Sequence, residues 1–292
     1  MTPDRPRPPV RYENPVLPEE VNYTRENPLR ELVILLAGAL ALLVALVVVL
    51  ALLAEVLARQ VPFEQEQRWA QSIGQSFSGE PLDARQAAAR DRLQQMVDRI
   101  ARMQSLPPGM TLTVHLVDDD MVNAFATLGG HLVIMRGLLE AMPHENALVT
   151  VLAHEVAHIR HRDPLVALGR GVAVMTALGA LTGFGDGGLA ASQVQQAGVL
   201  TMLSFNRDQE READAEALRT LQAWYGHTTG AADLFAVLAR QYAGREPPAF
   251  FNSHPATGER IATMQRAQTP GDVLPLPPEI RALQTPGAQG GD

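Results

Sequence analysis

The ten residues His154-Glu155-Val156-Ala157-His158-Ile159-Arg160-His161-Arg162-Asp163 contain the pattern HExxH. They close a run from about His144 that reads as helix, with Pro143 near its first turn. Two histidines four positions apart share one face of a helix, a single turn from each other. Both imidazoles therefore reach one zinc ion, and Glu155 stands beside the water that the metal activates, as its general base. Random placement would produce HExxH in a chain of 292 only about one time in a hundred, and the surrounding sequence has to supply the rest of a site.

A catalytic zinc takes three protein ligands and keeps one place open. The chain has no cysteine, so the third ligand is His, Asp or Glu. Glu210, in Arg207-Asp208-Gln209-Glu210-Arg211-Glu212-Ala213-Asp214, is the best candidate. Glu210 and Asp214 lie four apart and share a helical face. One carboxylate binds metal and the other accepts the spare N–H of a ligating imidazole, which orients the ring. His161 is a rival ligand, but three ligands from one continuous helix surround an ion poorly, and the glycine turn of HExxHxxGxxH is missing. His254, followed by Pro255, is a candidate donor to the oxyanion of the reacting carbonyl.

Outward from these residues, Leu32 to Ala54 is a run of 23 uncharged, almost wholly apolar residues between Glu31 and Glu55. As helix it is about 34 Å long, enough to cross a bilayer. It is too long and starts too late for a cleaved signal peptide. Five arginines precede it (Arg5, Arg7, Arg11, Arg25, Arg30) and three follow closely (Arg59, Arg68, Arg85). That bias places the N-terminus in the cytoplasm and the bulk of the chain outside it. The net charge of −8 argues against a nucleic-acid partner.

Residues 1–31 read as a polar tail rich in Pro and charge, and 269–292 as a poorly ordered tail. Between them, helices are predicted over 83–104, 231–242 and 256–268, with one from about Ala190 to Trp224 that is broken near Phe205. Residues 165–204 are apolar and Gly-rich, and read as a soluble helix and loop, the alternative being a segment that enters the bilayer. Strands are predicted at Thr111–Val117 and His131–Arg136, the second after a turn at Gly129-Gly130. As an exposed edge, the second strand and the preceding Asn123-Ala124 would bind an extended peptide through main-chain hydrogen bonds, with Asn123, Ala124, Gly130, His131 and Val133 as contacts. The alternative is an ordinary sheet strand, and the sequence does not separate the two.

Four blocks, in order, resemble the M48 peptidases, membrane-associated zinc metallopeptidases: NAFATLGGHLVIMRGLL (123–139), HEVAHIRHRD (154–163), RDQEREAD (207–214) and SHPATGERI (253–261). The resemblance covers roughly residues 65–268 and implies an α+β, mostly helical, zincin-like (gluzincin) domain with a small sheet, behind one transmembrane helix. It implies one zinc ion per chain on His154, His158 and Glu210, Glu155 as base, Asp214 supporting the first zinc histidine, and His254 near the site. Asn206 replaces the usual serine before the second block of ligands, and Arg211 an aromatic residue, without removing a ligand. The expected activity is hydrolysis of peptide bonds in protein or peptide substrates, in envelope or membrane protein quality control. The expected location is the bacterial inner membrane, single-pass through residues 32–54, with a periplasmic domain. The alternative is an assembly factor or chaperone whose protease site is latent.

Overall fold

The structure is a computed structural model that describes residues 27–77, 82–182, 205–255 and 258–284. Helix α1 (Pro28–Gln60) contains the apolar run, and none of its most apolar window is buried. Pro62 precedes α2 (Phe63–Ser76), a helix missed in the sequence.

Helix α3 (Ala84–Met103) starts at a capping box. The Asp83 carboxylate accepts from the Gln86 N–H, and the Gln86 side chain accepts from the Asp83 N–H. Its apolar stripe, Leu93, Met96, Val97 and Ile100, is fully buried. Strands β1 (Thr113–Val117), β2 (Ala124–Thr127) and β3 (His131–Met135) form one sheet in the order β1-β3-β2. β1 pairs parallel and β2 antiparallel with β3. This corrects the edge-strand expectation: β3 is the centre of the sheet, and its main chain is paired on both sides. Among the described residues, β2 is the edge strand that packs against the motif helix.

Helix α4 (Arg136–Ala141) leads to α5 (Glu145–His161), the motif helix. The His144 ring caps α5 by accepting from the Ala147 N–H. α5 ends at Arg162, in the left-handed region at φ 64°, and α6 (Asp163–Thr182) begins at once. Its first turns run along the end of α1, where Gly169 meets Ala54 and Arg170 pairs with Glu55 at 2.8 Å. The loop expected after α6, and the start of the helix expected from Ala190, lie outside the described residues.

Helix α7 (Arg207–Tyr225) carries the second set of acids behind an Asn206–Gln209 capping box. α8 (Asp233–Gln241), α9 (Phe250–Ser253), α10 (Gly258–Arg266) and α11 (Pro278–Gln284) complete the described chain. One apolar core joins α3, β3, α4, α5, α7 and α8 through Ile100, Ile134, Leu138, Leu152, Leu221 and Leu238. This is the mostly helical α+β arrangement with a small sheet that the sequence predicts.

The expectation of a disordered tail from 269 is corrected as far as Gln284. Leu276 and Ile280 enter the core, and the Gln284 amide donates to the carbonyls of Leu139 and Met142. Pro and Gly ended the helical pattern here, but an extended segment packs as well as a helix when it carries apolar side chains.

Candidate metal centre

Every residue of α5 from Asn146 to Ile159 is buried, so its polar side chains must find partners inside the protein. His154 and His158 turn toward each other, Nε2 to Nε2 3.0 Å. Each has its other nitrogen occupied. His154 Nδ1 lies 3.0 Å from Asp214 Oδ1, and His158 Nδ1 lies 2.8 Å from Asp163 Oδ2. An Asp beside Nδ1 accepts its N–H, which leaves the lone pair on Nε2. Two such lone pairs at 3.0 Å repel unless a cation or a further proton sits between them.

Glu210, on the first turn of α7, closes the group. Its Oε1 is 3.5 Å from His158 Nε2 and its Oε2 3.6 Å from His154 Nε2. Burial raises the Glu210 carboxyl, but hydrogen bonds from His158 and His254 outweigh it and hold the group far below the usual carboxylate range. Burial opposes charge on His158, yet Asp163 and Glu210 outweigh it and lift the ring to about 9. His154 goes the other way, pushed down chiefly by burial.

A tetrahedral ion with bonds near 2.0–2.1 Å separates its ligand atoms by about 3.3 Å. The spacings of 3.0, 3.5 and 3.6 Å bracket that value. His154, His158, Glu210 and His254 each offer one ligand atom, all within 4.8 Å of one another. His254 is not set apart as an oxyanion donor. Its Nδ1 lies 3.2 Å from His154 Nε2 and 3.0 Å from Glu210 Oε1, and its Nε2 is 3.2 Å from Glu155 Oε1.

Glu155 also accepts from the Ala126 N–H of β2, Oε2 to N 2.9 Å. Of the expected peptide contacts, Asn123 and Ala124 lie on the β2 side, next to this bond. The others do not gather at the site. Val133 packs with Phe125 and Met135 in a separate cluster, His131 pairs with His115 at 2.9 Å, and Gly130 lies against Phe63 of α2. His161 is not among the grouped ligand atoms.

Four partners were missed in the sequence. Asp163 comes five residues after His158, off the helical spacing, because the left-handed Arg162 reverses the chain. Gln209 donates to its second oxygen at 2.7 Å. Arg260 grips Asp214 with two bonds of 2.7 Å and also contacts Glu210. Phe205 stacks on His158 with ring centroids 4.0 Å apart. Of these, the arginine in SHPATGERI, a cation close behind a site rich in carboxylates, was the one with a readable signal. Beside the centre, a cavity of about 330 Å³ is lined by Phe205, Ala215, Leu218, Pro255 and Met264, with Arg260 on its inner wall.

The family described as Peptidase family M48 matches residues 87–268. The putative beta-barrel assembly-enhancing protease of Vibrio cholerae is 27% identical over 182 residues, 58% of this chain and 37% of that protein. A protease HtpX homolog of Acidiphilium cryptum is 33% identical over 150 residues, 44% of this chain and 51% of that protein. The mitochondrial metalloendopeptidase OMA1 of Schizosaccharomyces pombe is 29% identical over 163 residues, 52% of this chain and 45% of that protein. The matches thus span about half or less of each relative's own length.

Proposed function

Since the chain belongs to peptidase family M48, we propose that it is a zinc endopeptidase held in a bacterial inner membrane by residues 32–54, with residues 65–268 as its catalytic domain in the periplasm. The observation that carries the reading is the His154–His158 pair, whose Nε2 atoms meet at 3.0 Å while both Nδ1 atoms are committed to carboxylates. Imidazole and carboxylate donors suit zinc, and the four-residue helical spacing supports it over the harder ions.

When bound on His154, His158 and Glu210, zinc supplies Lewis acidity to the reacting carbonyl and to water. The chain's own residues do the rest. Asp214 and Asp163 fix the two rings in one tautomer and keep their lone pairs facing inward. Arg260 neutralises Asp214 and Glu210 together, so that two carboxylates share a dry site. Glu155, with no exposure to solvent, is held through Oε2 by the Ala126 N–H, and its Oε1, 3.2 Å from His254 Nε2, is the oxygen that would take a proton from attacking water and pass it to the leaving amine. The edge strand β2 offers main chain to an extended peptide, and the cavity beside Phe205 accepts an apolar side chain. Substrates in envelope or membrane protein quality control are supported by the Vibrio cholerae relative, whose name refers to beta-barrel assembly.

A second reading, an assembly factor with a latent protease, is favoured by one observation. His254 offers a fourth ligand atom beside His154, His158 and Glu210, which would fill the place that catalysis keeps open, and it lies 3.2 Å from Glu155 as well. Metal analysis of the full chain beside casein cleavage, with and without chelator, tests the first reading. One zinc per chain and chelator-sensitive cleavage that Glu155→Gln abolishes support it; absence of bound metal overturns it. Full complementation of a deletion strain by Glu155→Gln supports the second.

A further inference from the structure

We infer that Glu66, on the helix that follows the anchor, is a positioning residue for the metal centre: it holds the strand that orients Glu155 and the turn that orients His158. The inference rests on the peptidase reading and adds to it a residue outside the matched region, which begins at 87.

Glu66 is 3% exposed, an expensive place for a carboxylate without partners. Its two oxygens divide their work. Oε1 accepts from the Gly129 N–H at 2.8 Å. Oε2 accepts from Arg162 Nε at 2.7 Å, with Nη2 at 2.5 Å. Each partner is a short step from the centre. Gly129 follows β2 by two residues, and β2 gives the Ala126 N–H to Glu155 at 2.9 Å. Arg162 is the left-handed residue that ends α5, and the next residue, Asp163, holds His158 Nδ1 at 2.8 Å.

The packing around this carboxylate is close enough to transmit its position. A Cβ on Gly129 (φ 74°) would sit 2.6 Å from the Ala70 Cβ of α2, so α2 and the turn after β2 touch at backbone distance. Ala70 in turn shares a small cluster with Ala58 at the end of α1 and with Leu165 and Val166 of α6. One carboxylate therefore ties together two supports of the centre that also pack through Leu128, Leu165 and Val166, and it does so from the segment that emerges from the membrane helix. A carboxylate serving only to seat α2 would need one of these bonds, and neither would have to reach a residue adjacent to the site.

The test is Glu66→Gln in the full-length chain in detergent, a nearly isosteric change that removes the charge. Three quantities are read well below the melting temperature. They are kcat and KM on a quenched peptide, the rate of zinc loss to a chelator, and the hydrogen exchange of the Ala126 and Gly129 amides. Removing a group that orients a ligand's own partner costs up to about tenfold. The expectation is kcat lower by about threefold to tenfold with KM within twofold, faster zinc loss, and faster exchange at both amides. Arg162→Gln should reproduce the effect on zinc, and the double variant should add little to either single one. If Glu66→Gln lowers only the melting temperature, with zinc loss and amide exchange at wild-type rates, the carboxylate merely seats α2 and the inference is wrong. If wild type cuts no peptide, the peptidase reading fails, and the zinc and exchange measurements still decide the role of Glu66.

Discussion

Asp163 accepts a hydrogen bond from His158 across a chain reversal, Oδ2 to Nδ1 2.8 Å, with Arg162 in the left-handed conformation between the two helices. The bond ties a metal-binding ring to the first residue of the following helix. Asp163→Asn keeps the shape but removes the charge, and an amide rotated to present its NH2 group would meet the ring's N–H. Zinc affinity should fall by about 10- to 100-fold, measured by chelator competition. Gln209→Ala, which removes only a bond to Asp163's other oxygen, should cost less.

Arg260 is 6% exposed and forms a fork on Asp214 with two bonds of 2.7 Å. Burial works against its charge, but Asp214 and Glu210 outweigh that and raise its pKa further. Arg260→Gln leaves two buried carboxylates without their common cation. Breaking a buried pair on one side costs about 3–5 kcal/mol. Denaturant unfolding should show a loss of that order in the metal-free protein. The loss should be smaller with zinc bound, because the ion takes over part of the neutralisation.

His115 and His131 form a half-buried pair, Nε2 to Nδ1 2.9 Å. Burial, and then the neighbouring His131, depress His115 to about 4. The sign follows from linkage. Above about pH 6.5 neither the folded nor the unfolded chain carries this proton, so the site contributes nothing. Below it the unfolded chain binds a proton that the folded chain refuses, and stability falls until His115 itself titrates near 4. His115→Gln should flatten the stability profile between those two values and leave stability at pH 8 nearly unchanged. A wild-type slope in that window would show that the pair is not the source.

The candidate ligands are readable because helical spacing projects them: His154 with His158, and Glu210 with Asp214, are each four apart, and the fold brings the two pairs together. The supports around them were not, because they depend on chain reversals and on packing between distant segments. Asp163 needed the left-handed Arg162, and Ala126 contributes only a main-chain N–H, which carries no side-chain signature. The pattern of β3 is that of any strand and leaves edge and centre undecided; which strand is central depends on β1 and β2 pairing to it across a sequence gap. Helix α2 went unread because Phe63-Glu64-Gln65-Glu66-Gln67 is mostly polar, and the one carboxylate that turns inward has nothing local to distinguish it from its neighbours.

The C-terminal segment offers a test of how packing overrides composition. Ile280 of α11 has no exposure, and Gln284 donates to the Leu139 and Met142 carbonyls at and just beyond the C-terminal end of α4. Ile280→Ala should destabilise the protein by about 2–4 kcal/mol, the cost of a large-to-small change at a filled core site. Gln284→Ala should cost about 1 kcal/mol or more, because buried carbonyls lose a donor. Ending the chain after Gln284 keeps this contact, whereas ending it after Thr269 strips Leu276 and Ile280 from the core and should give a melting temperature lower by many degrees than the longer truncation. Equal melting temperatures for the two truncations would mean that residues 270–284 add no stability and that the composition-based reading of a loose tail was right.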